Sequence, residues 1–152
     1  MSLHLDEVNL SNLESQVCNY FKKSRKTTIV FPPLNKKYLY RNIEIEKKFE
    51  SFIRDVNPSD NIYAFISDKN ELLYVGKSGS QKYSRTIRNR LRQHLIRKPL
   101  STHSKREKVK EYCKIHESIK IITFEVEPKE YISFVESILI NKLDFKWNKR
   151  ID

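Results

Sequence analysis

A glutamate falls inside the apolar stripe of the last predicted helix in this 152-residue chain. The helix is predicted over Glu130–Leu143, where Ile132, Val135 and Leu139 share one face, and a helical wheel puts Glu136 within that face. Burying a carboxylate in such a position is energetically unfavourable unless a cation or hydrogen-bond donors interact with it. Two interpretations stay open, a buried glutamate paired with Arg or Lys, and a metal ligand.

A second predicted helix, Thr86–Arg97, carries a basic face beside its apolar one. Arg90, His94 and Arg97 are spaced i, i+4, i+7 and therefore project from the same side. Cations stacked in this way repel one another unless an anion lies between them, and a phosphate would be such an anion. The alternative is a solvated basic face that binds nothing.

Two tyrosines, Tyr63 and Tyr74, stand eleven residues apart on consecutive predicted strands, so their side chains can lie side by side. The alternative is that both are packing residues, the commonest use of Tyr in strands. The only two glycines, Gly76 and Gly79, follow at once and flank Lys77. Glycine permits a tight turn or a close approach of the backbone to a ligand. The pattern is not a Walker A loop, which argues against nucleotide hydrolysis.

The elements that must position these residues divide near residue 60. Residues 1–60 are predicted to form a mainly helical extension. Its predicted elements are a helix over Leu10–Phe21, a strand over Thr27–Phe31 and a helical pattern from Ile45 to Val56 that Pro58 ends.

Residues 61–152 are predicted to form a second domain, an α/β or α+β layer with the order β-β-α-α-β-α. Its predicted elements are strands Ile62–Ser67 and Leu72–Val75 around the turn Asp68–Glu71, helix Thr86–Arg97, a charged helix Ser104–His116, strand Ile119–Val126 and helix Glu130–Leu143.

The basic residues are concentrated in one stretch of the chain. The formal net charge is +11, and residues 77–120 hold 14 Lys or Arg residues against 3 acidic ones. A localised basic surface favours a polyanionic partner, with nucleic acid first, an anionic membrane surface second and an acidic protein third. A solvated charge run without a partner is the remaining alternative.

Composition excludes several other classes of protein. No apolar run approaches the ~18–20 residues that span a bilayer, and the acidic N-terminus has no apolar core of a secretory signal. Cys18 and Cys113 lie far apart without metal-binding spacing, which argues against a structural zinc site and a disulfide framework. We expect a cytoplasmic, reducing setting.

Taken in order, these pieces resemble the GIY-YIG nuclease domain over roughly residues 61–148. The ordered spacings carry the resemblance. Asn61 stands in place of the first Gly, Phe145 stands where many members have Pro, and extra residues precede the helix, so the choice of Arg90 over Arg85 or Arg88 depends on the Arg-to-His spacing. The motifs are Asn61-Ile62-Tyr63, Tyr74-Val75-Gly76-Lys77-Ser78, Arg90-Leu91-Arg92-Gln93-His94, Glu136-Ser137-Ile138-Leu139-Ile140 and Asn148.

The resemblance implies a metal-dependent DNA endonuclease that leaves 5′-phosphate and 3′-hydroxyl ends. Its fold would be a small, mainly antiparallel three-stranded sheet flanked by helices. Glu136 would be the single protein ligand of Mg²⁺ or Mn²⁺. Tyr63 would act as general base on the attacking water, helped by His94 or Lys77.

The remaining roles that the resemblance implies concern the phosphate and the protein partner. Arg90 would neutralise the scissile phosphate, Tyr74 would orient the water or phosphate, and Asn148 would tie the C-terminal segment to the site. Flanking phosphates would be held by the other cations of the basic stretch, chiefly Lys82, Arg85, Arg88, Arg97, Lys98, Lys105, Arg106, Lys108 and Lys110.

Three biological interpretations follow from the resemblance. The first is a small restriction-type endonuclease that works as a homodimer, and a repair, recombination or mobile-element nuclease comes close behind. The rival from another class is a non-catalytic DNA-binding module. A pure binder, however, has no need of Glu136 in an apolar face together with both tyrosines and the Arg90–His94 pair.

Overall fold

The structure is a computed structural model, and it describes residues 1–5, 10–79, 86–96 and 104–148. The described residues form five strands, five α-helices and one short 3₁₀ turn. In chain order these are β1 (Ser2–His4), α1 (Leu10–Lys23), β2 (Thr27–Val30), α2 (Tyr38–Asp55), β3 (Ile62–Ser67), β4 (Leu72–Lys77), α3 (Ile87–Leu95), α4 (Arg106–Ile115), β5 (Ser118–Glu127), the 3₁₀ turn (Lys129–Tyr131) and α5 (Ile132–Lys142).

The strands form one mixed sheet, which confirms the α/β class but corrects the expectation of a three-stranded antiparallel sheet. Its order is β1-β5-β3-β4, and β2 also pairs with β5. Among the strands that the structure describes, only β1 is parallel to its neighbour, which is β5. Because β5 has 10 residues, its outer edge accommodates β2 near its start and β1 near its end.

Both faces of the sheet are covered, and this explains why every residue of β3 is buried. Alternate residues of β3 enter two different hydrophobic clusters. Ile62, Ala64 and Ile66 pack with α1 and α5, whereas Tyr63 and Phe65 pack with α2, α3 and α4. The β3–β4 hairpin therefore separates two chemical environments.

The turn of this hairpin was predicted from its residue types. The structure confirms a turn between Ser67 and Leu72, in which the Ser67 hydroxyl accepts hydrogen bonds from the backbone N–H groups of Lys69 and Glu71. Asn70 has a φ of 67°, a left-handed conformation that Asn tolerates better than most residues.

The first 60 residues contribute two strands to the common sheet and one helix to each of its two hydrophobic clusters. Ile45, Phe49 and Ile53 of α2 lie in the same cluster as Tyr63. The guanidinium of Arg41, which is 3% exposed, donates to the carbonyl groups of Pro32, Cys113 and His116 and so fixes α2 against α4. The division into domains at residue 60 stays a prediction.

Candidate active site

A buried hydrogen bond joins the first predicted tyrosine to the predicted histidine. The Tyr63 hydroxyl oxygen lies 2.7 Å from Nε2 of His94, and the two side chains are 0% and 2% exposed. Tyr63 comes from β3 and His94 from α3, 31 positions later in the chain. The helix holds His94 in place because Thr86 caps its first turn by accepting from the Asn89 N–H.

The other ring nitrogen of His94 fixes the direction of this hydrogen bond. Nδ1 lies 3.0 Å from the backbone nitrogen of Lys105, which can only donate. The neutral ring therefore carries its proton on Nε2 and donates it to the Tyr63 oxygen. Burial, together with Arg90 and Lys105, lowers the pKa of His94 to about 3. His94 is a neutral donor at pH 7.

The second tyrosine lies against the same pair. The Tyr74 ring centroid is 6.2 Å from that of Tyr63 and 5.2 Å from that of His94. Since the Tyr63 oxygen already accepts from His94, its own proton is available to a neighbouring acceptor. Burial raises the pKa of Tyr63 well above its usual value and raises that of Tyr74, and Arg90 opposes both shifts.

Gly76 is required because the Tyr63 ring lies directly against its backbone. Tyr63 and Gly76 are paired residues of the hairpin. A Cβ atom at position 76 would lie 2.4 Å from both Cζ and the hydroxyl oxygen of Tyr63, far inside van der Waals contact. At Gly79 the nearest atom to an added Cβ would be Cδ1 of Ile132, at 3.8 Å. Only the first glycine serves a close approach.

Across the β4 edge from the tyrosines, α5 presents Glu136. Its side chain is 21% exposed, and its Oε1 lies 3.8 Å from Nζ of Lys77, which also donates to the Ser133 hydroxyl at 2.8 Å. Burial raises the pKa of Glu136, and Lys77 and Arg90 oppose the rise. Arg90 acts electrostatically on Glu136, His94 and both tyrosines. It is thus the cation common to both sides of the site.

Asn148 joins the C-terminal segment to the same strand edge. Its Oδ1 accepts from the Val75 N–H at 2.8 Å, and its Nδ2 donates to the Val75 carbonyl at 2.9 Å. The side-chain amide thereby continues the β-sheet hydrogen bonding beside the site. The role that the structure gives Asn148 is to position β4.

Known proteins offer no further guide. The chain matches no family model, no curated protein and no solved structure. The chemistry of the site must be argued from its own geometry.

Glu136 is the residue that could hold a divalent cation. Carboxylate oxygen is a ligand that Mg²⁺ and Mn²⁺ prefer, and Mg²⁺ is commonly bound through one or two carboxylates while waters and substrate phosphates complete its shell. Within the ranges that the structure describes, no group of three or more His, Cys, Asp or Glu side chains could hold a metal ion. A one-carboxylate site completed by phosphate and water is the kind of metal site that Glu136 fits.

The predicted assistants of Tyr63 lie where they cannot take its proton. His94 already carries a proton on the nitrogen that faces Tyr63. Lys77 contacts Ser133 and Glu136, on the other side of the hairpin. The expectation that His94 or Lys77 deprotonates Tyr63 therefore does not fit this geometry.

The cations predicted to hold flanking phosphates have different placements. Arg88 donates to the Val56 carbonyl, and Arg106 donates to the Ile96 carbonyl and pairs with Glu46, so both connect elements of the fold. Lys105 lies with Nζ 5.5 Å from the Tyr74 ring centroid, and on α4 Lys108 is exposed and Lys110 is half-buried. The other predicted phosphate contacts, Lys82, Arg85, Arg97 and Lys98, lie outside the described residues.

Sequence reasoning missed two contributors to the site. The Lys105 backbone amide sets the tautomer of His94, and no side-chain pattern could have indicated this. Ser133 holds Lys77, and its signal was present, because it stands three residues before Glu136 on the same helix.

Among the helices that the structure describes, none is both long and apolar enough to span a bilayer.

Proposed function

We propose that this chain is a metal-dependent endonuclease of the GIY-YIG type that hydrolyses DNA phosphodiester bonds to 5′-phosphate and 3′-hydroxyl ends. The observation that carries the proposal is the convergence at one strand edge of the directed His94–Tyr63 hydrogen bond, the Tyr74 ring beside it, Arg90, and the Glu136–Lys77 pair. A purely structural core has no use for so many polar groups beside one edge.

The cations of the site account for phosphate binding. Arg90 can present a planar guanidinium to two phosphate oxygens, and Lys77 contributes a point charge from the other side of the edge. Both also face Glu136 electrostatically, so a phosphate there would lie among two cations and one carboxylate. A Mg²⁺ or Mn²⁺ ion bound at Glu136 would supply the further positive charge that a phosphorane and a leaving 3′ oxygen need.

The different burial of the two tyrosines gives them different tasks. Tyr63 is fully buried, so its oxygen acts on a water only through a neighbour. Tyr74 is only partly buried, and its hydroxyl donates to a water or phosphate oxygen. If Tyr63 serves as general base, its proton must leave to an acceptor other than His94, because Nε2 of His94 is already protonated.

The biological role that we favour is that of a small restriction-type endonuclease. One candidate site per chain cuts one strand, so cutting both strands together calls for a homodimer. A repair, recombination or mobile-element nuclease would use the same site chemistry. The pattern of cleavage products separates these roles, since discrete fragments indicate sequence specificity, whereas nicks or a smear indicate selection by DNA structure.

The decisive experiment is cleavage of supercoiled plasmid by the full chain with Mg²⁺ or Mn²⁺ and with chelator. We expect cutting only with metal, and we expect Glu136→Gln to slow it at least ~100-fold, the equivalent of about 3 kcal/mol in the barrier. Glu130→Gln is the matched control, because Glu130 is an exposed carboxylate of the preceding turn. Its cutting rate should equal that of wild type.

Two results would overturn the proposal. In the first, purified wild type retards DNA on a gel but neither nicks nor cuts it in any metal, which identifies a non-catalytic DNA-binding module. In the second, Glu136→Gln cuts as fast as Glu130→Gln, which removes the carboxylate from the chemistry. Ligation of the products, which needs a 5′-phosphate beside a 3′-hydroxyl, tests the expected ends.

A further inference from the structure

A cavity of ~570 Å³ opens between α4, the β3–β4 turn and the C-terminal segment, outside the candidate active site. Its volume lies within the range of small-ligand pockets, about 300–1,000 Å³. Leu73 and Tyr112 form its inner wall, and His116 and Trp147 complete the aromatic lining. The proposed hydrolysis uses none of these side chains.

The aromatic lining presents flat faces. The rings of Tyr112 and His116 are parallel within 6°, with centroids 3.9 Å apart, and Trp147 meets Tyr112 at 79° with centroids 6.5 Å apart. Hydrogen bonds from Tyr112 to the Ser118 carbonyl and between His116 and Asp68 hold the stacked rings in place. Fixed aromatic faces of this kind accept flat rings by stacking.

The polar lining of the cavity carries no net formal charge. Glu71, Glu107 and Glu111 line it together with an equal number of lysines, which are Lys108, Lys114 and Lys146. Lys146 pairs with Glu71, and Lys114 pairs with Glu111. The occupant that fits is therefore a flat, uncharged ring, and the carboxylates can accept hydrogen bonds from its N–H donors.

The cavity begins next to the candidate active site. Leu73 precedes Tyr74 in β4, and its carbonyl accepts from the backbone N–H of Trp147 at 2.7 Å. Lys105 lies over the Tyr74 ring, and Lys108, one helical turn further along the chain, lines the cavity. Two lysines thus mark a route from the candidate site to the cavity.

We propose that this cavity binds a nucleobase of the cleaved strand, unstacked from its neighbours, while Lys105 and Lys108 contact the intervening phosphates. The assignment to the cleaved strand rests on the proposed nuclease function, because the candidate site fixes where that strand runs. The carboxylates favour bases with an exocyclic amino group, so adenine and cytosine bind better than thymine.

The single tryptophan of the chain reports directly on the cavity. Trp147 is the only Trp, so its fluorescence can be titrated with short single-stranded oligonucleotides in chelator, where no cutting occurs. We expect an oligoadenylate to quench the emission at least about twofold at saturation and an all-abasic strand of equal length to leave it within about a tenth of its starting value.

Substitution of the tryptophan separates stacking from charge. Trp147→Leu should weaken binding of the oligoadenylate about tenfold, as is typical for loss of one stacked base, and should change binding of the abasic strand less than twofold. Trp147→Phe should restore most of the lost affinity because it restores a ring. Tyr40→Leu, which removes an exposed aromatic side chain on α2, is the control and should leave both affinities unchanged.

Several outcomes would overturn the inference. Equal quenching by the abasic strand and the oligoadenylate would show that no base enters the cavity. Equal losses for both strands in Trp147→Leu would show a structural role. Binding of free AMP as tight as that of the oligonucleotide would identify a small-molecule site. If the plasmid is never cut but quenching depends on the base, the nuclease proposal fails and the nucleobase site stands.

Discussion

Two tyrosine–histidine pairs border the same hydrophobic cluster, and they use the same residue types differently. In Tyr63–His94 the hydroxyl and the ring nitrogen bond to each other at 2.7 Å, and His94 is 2% exposed. In Tyr112–His116 the rings stack, and each polar atom bonds elsewhere, the Tyr112 hydroxyl to the Ser118 carbonyl and the His116 ring to Asp68.

The difference comes from where each pair sits in the chain. Tyr112 and His116 are four residues apart, so the helix and its end bring their rings together. Tyr63 and His94 meet only because β3 and α3 pack against each other. A local pair is a packing unit, whereas a long-range pair with a directed hydrogen bond must be held by the whole fold.

The largest effect is expected from Gly76→Ala, because the added methyl group would collide with the Tyr63 ring of the Tyr63–His94 pair. The new Cβ would overlap Cζ and the hydroxyl of Tyr63, so the ring or strand must move. We expect a loss of about 2–3 kcal/mol in the free energy of unfolding, measured by urea titration.

The control for that substitution is Gly79→Ala. Its Cβ would meet only ordinary contact, and we expect no loss, or a small gain, in stability. Equal losses in the two alanine variants would show that the Tyr63 ring does not require the space at Gly76.

A pH titration tests the buried histidine next. The pKa of His94 is about 3 in the folded chain and ~6.5 when unfolded, so as pH falls below ~6.5 the unfolded state takes up a proton that the folded state does not. Wild type should therefore lose about 2 kcal/mol more stability between pH 7 and pH 5 than His94→Phe, as measured by denaturant unfolding at each pH. Parallel pH profiles would contradict a neutral, buried His94.

The stacked Tyr112–His116 pair should tolerate substitution of its histidine better. His116→Phe preserves the stacked ring and loses only the contact with Asp68, whose side chain is 21% exposed and faces a His116 that is 26% exposed. We expect the free energy of unfolding, measured by thermal and urea denaturation, to fall by less than about 1 kcal/mol. A loss as large as that of Gly76→Ala would erase the distinction between the two pairs.

The smallest effect concerns two of the cations that were predicted to hold flanking phosphates. Lys110 is not one of the buried residues of α4, so Lys110→Gln should leave stability unchanged and reduce the log–log salt slope of DNA binding by about 0.9. Arg88→Gln should lower stability and leave the salt slope unchanged, because the Arg88 guanidinium donates to the Val56 carbonyl. Fluorescence anisotropy at several salt concentrations provides both slopes.

Residue patterns predicted the regular elements better than the sheet that they build. The hairpin, α3 and β5 were predicted to within about two residues at most boundaries, because their alternation or helical spacing is pronounced. Ser2–His4 is too short to carry a pattern, so β1 was missed and β2 was assigned to an extension. Only the length of β5, seen with its partners, shows that both strands join one sheet.

Spacing likewise predicted which residues belong to the candidate site, but not how they are hydrogen-bonded to one another. Spacing identified Tyr63, Tyr74 and the Arg90–His94 pair. The direction of the hydrogen bond between His94 and Tyr63 depends on the backbone amide of Lys105, which contacts His94 from another part of the chain. A backbone donor leaves no mark in a sequence, so the tautomer could come only from the structure.

The segment that carries Asn148 also covers one edge of the sheet. β4 is the outer strand of the sheet on this side, and Lys146, Trp147 and Asn148 occupy its outward hydrogen-bonding groups at Leu72, Leu73 and Val75. A bare outer strand is a template for edge-to-edge aggregation. Asn148 therefore covers backbone groups that could otherwise pair with another chain, and we expect its loss to appear first as aggregation at high concentration.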